Sequence, residues 1–292
     1  MPLKHTRLFR IRQYECDANG HVNNANFLRY MQETALDASA AAGYDHNRYY
    51  EIGHIWLIHE SEIEFKIPLI YGDTLKIITW VEDFRRVSSR RVYEFYKEPS
   101  GNLIAKANTD WIFINDQNRR PTKIPQEMID AFYPEGEAKS FPIRQTFPIP
   151  PPEPSGVFTS HFKVNWQDID AVGHVNNAIY LDYMNECSMQ MLRAHGWPWI
   201  RMKEHGFAIF IRQIRIKYIQ PALLDDELSM ATWAYNIRRS TSERYFVIRR
   251  LMDNELIAEI NILGVWVNIN NGKPIRIPNK FLENFKPNIA DY

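Results

Sequence analysis

Cysteine is scarce in this 292-residue chain: Cys16 and Cys187 are the only two, too few for a disulfide framework and suited to a reducing compartment. No 18 apolar residues run together, and the opening stretch, MPLKHTRLFRIRQYECD, has no signal-like apolar core. A soluble, cytoplasmic chain that makes no use of a membrane is expected. Net charge is also missing, with 35 Lys+Arg against 35 Asp+Glu, which argues against a broad basic surface for nucleic acid. The nine histidines show no metal-ligand spacing with cysteines or acids, so neither metal nor cofactor is expected. What remains is ordinary globular composition, 45% hydrophobic and 24% charged, over a length that suits two domains of roughly 140 residues.

The chain repeats itself at an offset of 153. Residues 17–33, DANGHVNNANFLRYMQE, align with residues 170–186, DAVGHVNNAIYLDYMNE, and 12 of the 17 pairs are identical; chance composition would give about one. The same ungapped offset pairs Pro68 with Pro221, Asp73 with Asp226, Trp80 with Trp233, Arg85-Arg86 with Arg238-Arg239 and Pro125 with Pro278. Two domains of one architecture are therefore expected at residues 1–135 and 157–292. Residues 136–156 would join them, a connector kept extended by proline. An intramolecular pseudo-dimer is the expected packing.

Within each repeat the pattern reads strand, long helix, then strands. The opening strands are placed at Leu8 to Tyr14 and Phe158 to Trp166. Phe27, Tyr30, Met31, Thr34, Ala38 and Ala41 recur at helical spacing, with Asn23 or Asn24 as N-cap and Gly43 at the C-terminal cap. Asn176 or Asn177 and Gly196 hold the matching places in the second copy. Period-two runs follow near 63–67, 74–84, 90–98 and 103–114, with equivalents near 214–218, 227–237, 243–251 and 256–267. One long helix with antiparallel strands curled round it gives an α+β fold in each half.

The repeated Asp-Ala-x-Gly-His-Val-Asn-Asn segment lies where the first strand meets the helix. It brings a carboxylate, Asp17 or Asp170, close to a flexible glycine, Gly20 or Gly173, and to an imidazole, His21 or His174. A helix N-terminus adds unpaired N–H groups and positive dipole potential. A carboxylate beside an oxyanion cradle is the equipment of acyl transfer to water, with Asp as general base or nucleophile.

These residues make the chain resemble the hotdog-fold thioesterases. The tandem layout is similar to the acyl-carrier-protein thioesterases, to double-hotdog acyl-CoA thioesterases and to 4-hydroxybenzoyl-CoA thioesterase-like proteins. The resemblance implies tandem hotdog folds, hydrolysis of an acyl-CoA or acyl-carrier-protein thioester in fatty acid metabolism, and no metal. It places the catalytic acid on Asp17 and Asp170, and the polarising amides around Gly20, His21 and Val22 and around Gly173, His174 and Val175. The carrier-protein branch uses Asp-x-Asn-x-His in its second domain, whereas here Asp17, Asn19 and His21 complete that triplet in the first repeat and Val172 interrupts it in the second. This favours Asp17 over Asp170, with two working sites favoured over one. The branch's further acid or thiol, on the strand after the helix, would fall near Pro68-Leu69 and Pro221-Ala222, which cannot supply it.

Supporting roles are open for Asn23, Asn176, Glu33 and Glu186, the last two against the alternative of a solvated, salt-bridged helix face. Arg85, Arg86, Arg90 and Arg91, with Arg238, Arg239 and Arg244, are candidates for the phosphates of CoA or phosphopantetheine. Phe27, Trp56, Tyr180 and Phe207 are candidates for lining the acyl pocket. An enoyl-thioester hydratase or dehydratase and a non-catalytic acyl-thioester-binding module are the alternative functions. A further pairing of chains into homodimers or larger assemblies is left open.

Overall fold

A computed structural model describes residues 1–136 and 142–290, and the chain divides into two units, Met1–Thr146 and Phe147–Tyr292. Residues 137–141 of the expected connector lie outside the described residues. Residues 142–153 form neither helix nor strand, as their prolines require.

The first unit runs β1 (His5–Arg10), a 3-10 turn (Gln13–Glu15), α1 (Asn24–Ala41), α2 (His46–Ile52), β2 (His54–Phe65), β3 (Thr74–Phe84), β4 (Ser88–Glu98), β5 (Asn102–Asn115) and α3 (Gln126–Phe132). Its strands lie in the order β1-β3-β4-β5-β2, every pair antiparallel. The second unit repeats this with β6 (Phe158–Lys163), a 3-10 turn (Trp166–Asp168), α4 (Ile179–Ala194), α5 (Trp199–Glu204), β7 (Phe207–Tyr218), β8 (Glu227–Tyr235), β9 (Thr241–Arg250), β10 (Leu256–Asn268) and α6 (Asn279–Phe285). Its order is β6-β8-β9-β10-β7, again antiparallel. Each unit is a hotdog fold, a curled sheet laid along one long helix.

The expected strands 74–84, 90–98 and 103–114 match β3, β4 and β5 to within two residues at each end. Period-two burial explains why they were legible: along β3, Leu75, Ile77, Thr79, Val81 and Asp83 are buried in alternation. The opening strands end earlier than expected, at Arg10 and Lys163. Each is followed by a 3-10 turn that closes when a buried acid three residues on accepts the turn's first amide. Glu15 takes the Arg12 N–H at 2.6 Å, and Asp168 takes the Asn165 N–H at 2.8 Å.

Helix α1 buries Phe27, Tyr30, Met31, Thr34, Ala35 and Ala38, while Glu33, Leu36, Asp37 and Ala40 form an outward stripe at i, i+3, i+4 and i+7. Leu36 is 63% exposed, so the curled strands cover the helix on one side only. Both long helices end as the sequence indicates. Gly43 at φ +84 and Gly196 at φ +75 take the left-handed conformation, and the N–H groups of Tyr44 and Trp197 return to the carbonyls of Ser39 and Leu192. Among the described residues no helix is long and apolar enough to cross a membrane.

Candidate active site

The repeated motif forms the same tight loop in both units, between the 3-10 turn and the long helix. Its ends are tied by the Asp17 N–H to the His21 carbonyl at 2.7 Å, and by the Asp170 N–H to the His174 carbonyl at 3.0 Å. Gly20 at φ +79 and Gly173 at φ +90 make the reversal, a conformation that disfavours any side chain. The loop then docks on the connection between β2 and β3, or between β7 and β8. Val22 N–H donates to the Leu69 carbonyl at 2.8 Å, and Val175 N–H to the Ala222 carbonyl at 2.9 Å.

This geometry corrects the expected oxyanion cradle. Gly20 and Gly173 N–H groups donate within the loop to the Asp17 and Asp170 carbonyls, His21 N–H goes to Asp17 Oδ1 at 3.2 Å, and Val22 and Val175 are spent on Leu69 and Ala222. More amides are used at the helix starts: Asn23 Oδ1 caps α1 by accepting the Ala25 N–H, and Asn176 Oδ1 accepts the Ala178 N–H in the turn that leads into α4. Asn23 therefore caps its helix, and Asn176 holds the turn that precedes α4. Asn24, the first residue of α1, and Asn177, in the turn just before α4, have backbone N–H groups with no partner among the described residues, near the positive ends of the helix dipoles.

The two acids are held differently. Asp17 is exposed and accepts the Asn19 N–H at 2.8 Å, with the Asn19 side-chain amide at 3.5 Å. Asp170 is half-buried, accepts the Val172 N–H at 2.9 Å, and stands 3.7 Å from His174 Nδ1. The Asn19 amide that completes the first triplet thus hydrogen-bonds its own acid, while in the second unit the imidazole stands beside the carboxylate.

Two acids just upstream went unnoticed in the sequence, although they recur at the same offset of 153. Glu15 and Asp168 are both buried. Besides closing its turn, Asp168 accepts the Tyr183 hydroxyl at 2.8 Å, which locks the turn to α4. Burial and then the nearby carboxylate raise the Tyr183 phenol well above its usual value, and burial and then Glu15 do the same to Tyr30. The carbonyls of Glu15 and Asp168 also receive the N–H groups of Asn23 and Asn176. These acids fix where the loop sits.

Other expected site residues lie elsewhere. Glu33 shares Arg7 with Asp37, at 3.2 and 2.7 Å, and Glu186 meets Gln190 and Arg193 on the surface, so both are solvated helix-face acids. Arg90 forms a two-pronged bond to Asp110, 2.7 Å on each prong, which removes it as a phosphate ligand. Arg91 is buried against the Phe132 ring, and its equivalent Arg244 is half-buried, donates to Asn288 and is pushed down to about 10 by desolvation. Arg85, Arg86, Arg238 and Arg239 are exposed, at the end of β3 or β8 remote from the loop. Phe27 packs on Phe65 and Phe95, and the Ala222 N–H meets the Tyr180 hydroxyl, both near the loop end of the helix. Trp56 and Phe207 belong to clusters at the opposite end, with Phe113 and Trp197.

The strand after each long helix is β2 or β7, not the Pro68 or Pro221 region, which is the loop holding the motif. β2 carries His59, Glu60, Glu62 and Glu64, so acids are available on that strand in the first unit; β7 carries Arg212, Gln213, Arg215 and Lys217 at the equivalent positions.

Comparison with known proteins agrees with this architecture. Residues 2–132 match the acyl-ACP thioesterase N-terminal domain, and residues 164–285 match the thioesterase-like superfamily. A palmitoyl-acyl carrier protein thioesterase of Cuphea hookeriana is 25% identical over 188 residues, 61% of this chain and 45% of the relative, so the match spans less than half that protein. The fold is shared with an acyl-ACP thioesterase from Bacteroides thetaiotaomicron, at TM-score 0.70 and 18% identity over 89% of this chain and 97% of that one. It is shared too with the 12:0-ACP thioesterase from Umbellularia californica, at TM-score 0.73 and 15% identity over 89% and 93%. The first half of the chain is thus similar to the acyl-ACP thioesterase N-terminal domain and the second half to the thioesterase-like superfamily, each match spanning one copy of the repeated loop.

Proposed function

We propose that this chain hydrolyses acyl thioesters, carried on acyl carrier protein or CoA, to a free carboxylic acid and a thiol. The observation that carries the reading is the twice-built loop. In each unit it sets an Asp carboxylate and a His beside the start of a long helix, where the N–H of Asn24, the first residue of α1, or of Asn177, in the turn just before α4, has no partner among the described residues. In this mechanism the carboxylate of Asp17 or Asp170 takes a proton from water as the water oxygen bonds to the thioester carbonyl carbon. The free helix amide stabilises the oxyanion that forms. The tetrahedral intermediate then collapses, the carbon–sulfur bond breaks, and the carboxyl proton passes to the leaving sulfur. If Asp attacks directly instead, a mixed anhydride forms as the thiolate leaves, and where water then attacks the Asp carbonyl, a single turnover in ¹⁸O-water puts the label in Asp and leaves the first acid product unlabelled.

The second unit is the better-equipped site on this reading, because His174 Nδ1 lies 3.7 Å from Asp170 Oδ1 and both side chains are largely shielded. A reducing, cytoplasmic setting fits the free thiols Cys16 and Cys187. The test is release of free thiol from a panel of acyl-CoA and acyl-carrier-protein substrates. Asp17→Asn with Asp170→Asn is expected to lower turnover by about 10²–10⁴-fold, the usual worth of a positioned acid–base group. Each single variant reports how much of the activity its own unit supplies. Undiminished turnover in the double variant rules the mechanism out.

A further inference from the structure

Five large apolar side chains of the second unit stand in solvent at one end of its sheet. Trp166 is 80% exposed, Met252 86%, and Leu223, Leu224 and Leu251 between 42% and 47%. They come from three segments that folding brings together. Trp166 follows the end of β6, Leu223 and Leu224 precede the start of β8, and Leu251 and Met252 follow the end of β9. These ends lie side by side, because Lys163 of β6 pairs with Glu227 of β8, and Leu228 of β8 with Arg250 of β9. The Val164 N–H donates to the Asp226 carbonyl at 2.9 Å, and the Leu251 N–H to the Glu227 carbonyl at 2.8 Å. With neighbouring strands about 4.8 Å apart, the three ends cover about 10 Å.

The fold does not call for this set. At the offset of 153 the first unit has Gln13, Glu98 and Pro99 in place of Trp166, Leu251 and Met252, and keeps a large apolar pair only at Ile70 and Tyr71. The five side chains expose roughly 600 Å², at the upper end for the largest apolar patch on a monomer. With the flanking Lys163, Asp225 and Asp253 the face reaches the roughly 800 Å² that each partner gives to a stable interface.

The charges indicate which partner fits. Lys163 pairs with Asp225 at 2.9 Å, Arg250 pairs with Asp226 at 3.3 Å and Asp253 at 2.9 Å, and Arg249 donates to the Asn254 carbonyl at 3.0 Å. These cations are matched on their own chain, so an acidic protein or an anionic lipid surface gains little from them. Asp225, its side chain 71% exposed, follows Leu224 directly and would have to enter a bilayer with it, which is costly for a carboxylate. A second copy of the chain meets neither obstacle. Its face is equally apolar and equally matched, and 35 Lys+Arg against 35 Asp+Glu leave no net charge to repel a like molecule.

We propose that this end of the second unit is the interface of a two-fold dimer of the chain, with Trp166 and Met252 as its anchors. The first unit lacks the full set, so each chain has one such face, and a contact of like with like through it closes at two copies. The test is sedimentation equilibrium of the full chain, which at about 10 μM should give twice the 34.6 kDa chain mass. Trp166→Gln with Met252→Gln should raise the dissociation constant about a hundredfold or more, since each change occurs twice in a symmetric contact. Circular dichroism checks the fold, and Met252→Gln alone, in a surface turn, should still weaken association about tenfold. Tyr71→Gln, at the first unit's equivalent of Leu224, should leave the dimer intact. The mass of a single chain at about 50 μM, a species larger than two copies, or an unchanged dissociation constant in the double variant overturns the proposal. So does loss of the dimer in Tyr71→Gln. Sedimentation of the chain with phosphatidylcholine vesicles, abolished in the double variant, would give the face to a lipid surface and overturn it as well. Because association is read directly, none of these outcomes depends on the thioesterase reading.

Discussion

Replacing Arg144 by alanine should unfasten the connector from the first unit and destabilise that unit. Arg144 reaches from the proline-rich segment to two acids, pairing with Asp83 and, at 3.2 Å, with Asp110. The side chains are 16% exposed for Arg144, 0% for Asp83 and 11% for Asp110, so this is a buried network, where removing one partner strands the others. Breaking a buried pair in this way costs about 3–5 kcal/mol. Asp110 keeps both prongs of Arg90, and Asp83 keeps the Arg90 N–H at 3.3 Å, which places the expected loss near the lower end, about 3 kcal/mol. With a urea dependence of about 2 kcal/mol per molar, the first unit's midpoint should fall by about 1.5 M. Urea titration followed by circular dichroism resolves this, and the second unit's transition serves as an internal reference. Arg144→Met with Asp83→Asn should recover part of the loss, since no charge is then stranded on Asp83. A midpoint shift below about 0.2 M in Arg144→Ala would refute the reasoning, because it would mean that water already satisfies both acids.

Other outcomes follow from single contacts. Tyr183→Phe deletes the hydroxyl that Asp168 accepts and should cost about 1–2 kcal/mol in the second unit, read by the same titration. Gly43→Ala should cost about 1 kcal/mol through backbone strain alone, because φ is +84 and an added Cβ meets no atom within 4 Å. Burial pushes the Cys187 thiol up from 9.0 to about 11, so the folded chain holds that proton after the unfolded chain has released it. The unfolded state therefore binds fewer protons between those values, and stability should fall as pH rises through that window. Cys187→Ala should flatten the fall, measured as melting temperature against pH.

Much of the fold could be read directly because its units are simple periodic patterns. Alternation of Leu75, Ile77, Thr79 and Val81 marks β3 because a sheet with one buried face has only one way to turn each side chain. The helix ends were legible at Asn23 and Gly43, since capping depends on a local oxygen and a local left-handed turn. The outward stripe of α1 was not, because alanines and Leu36 look apolar whether or not anything covers them. The arginines show the same limit. Arg85, Arg86, Arg90 and Arg91 are four similar residues in sequence. The roles of Arg90 and Arg91 are nonetheless set by distant partners, Asp110 and Phe132, which only folding brings up.

The amino-acid order alone determined that there are two copies of one unit, the element order in each, and the loop where Asp, Gly and His meet a helix. Those features rest on interactions reaching only a few residues, or on a repeat visible by alignment. Tertiary structure decided which amides of that loop are already occupied and which acids are buried beneath it. It also decided which cations are tied and which stand open, because hydrogen bonds and burial depend on groups that are far apart along the chain.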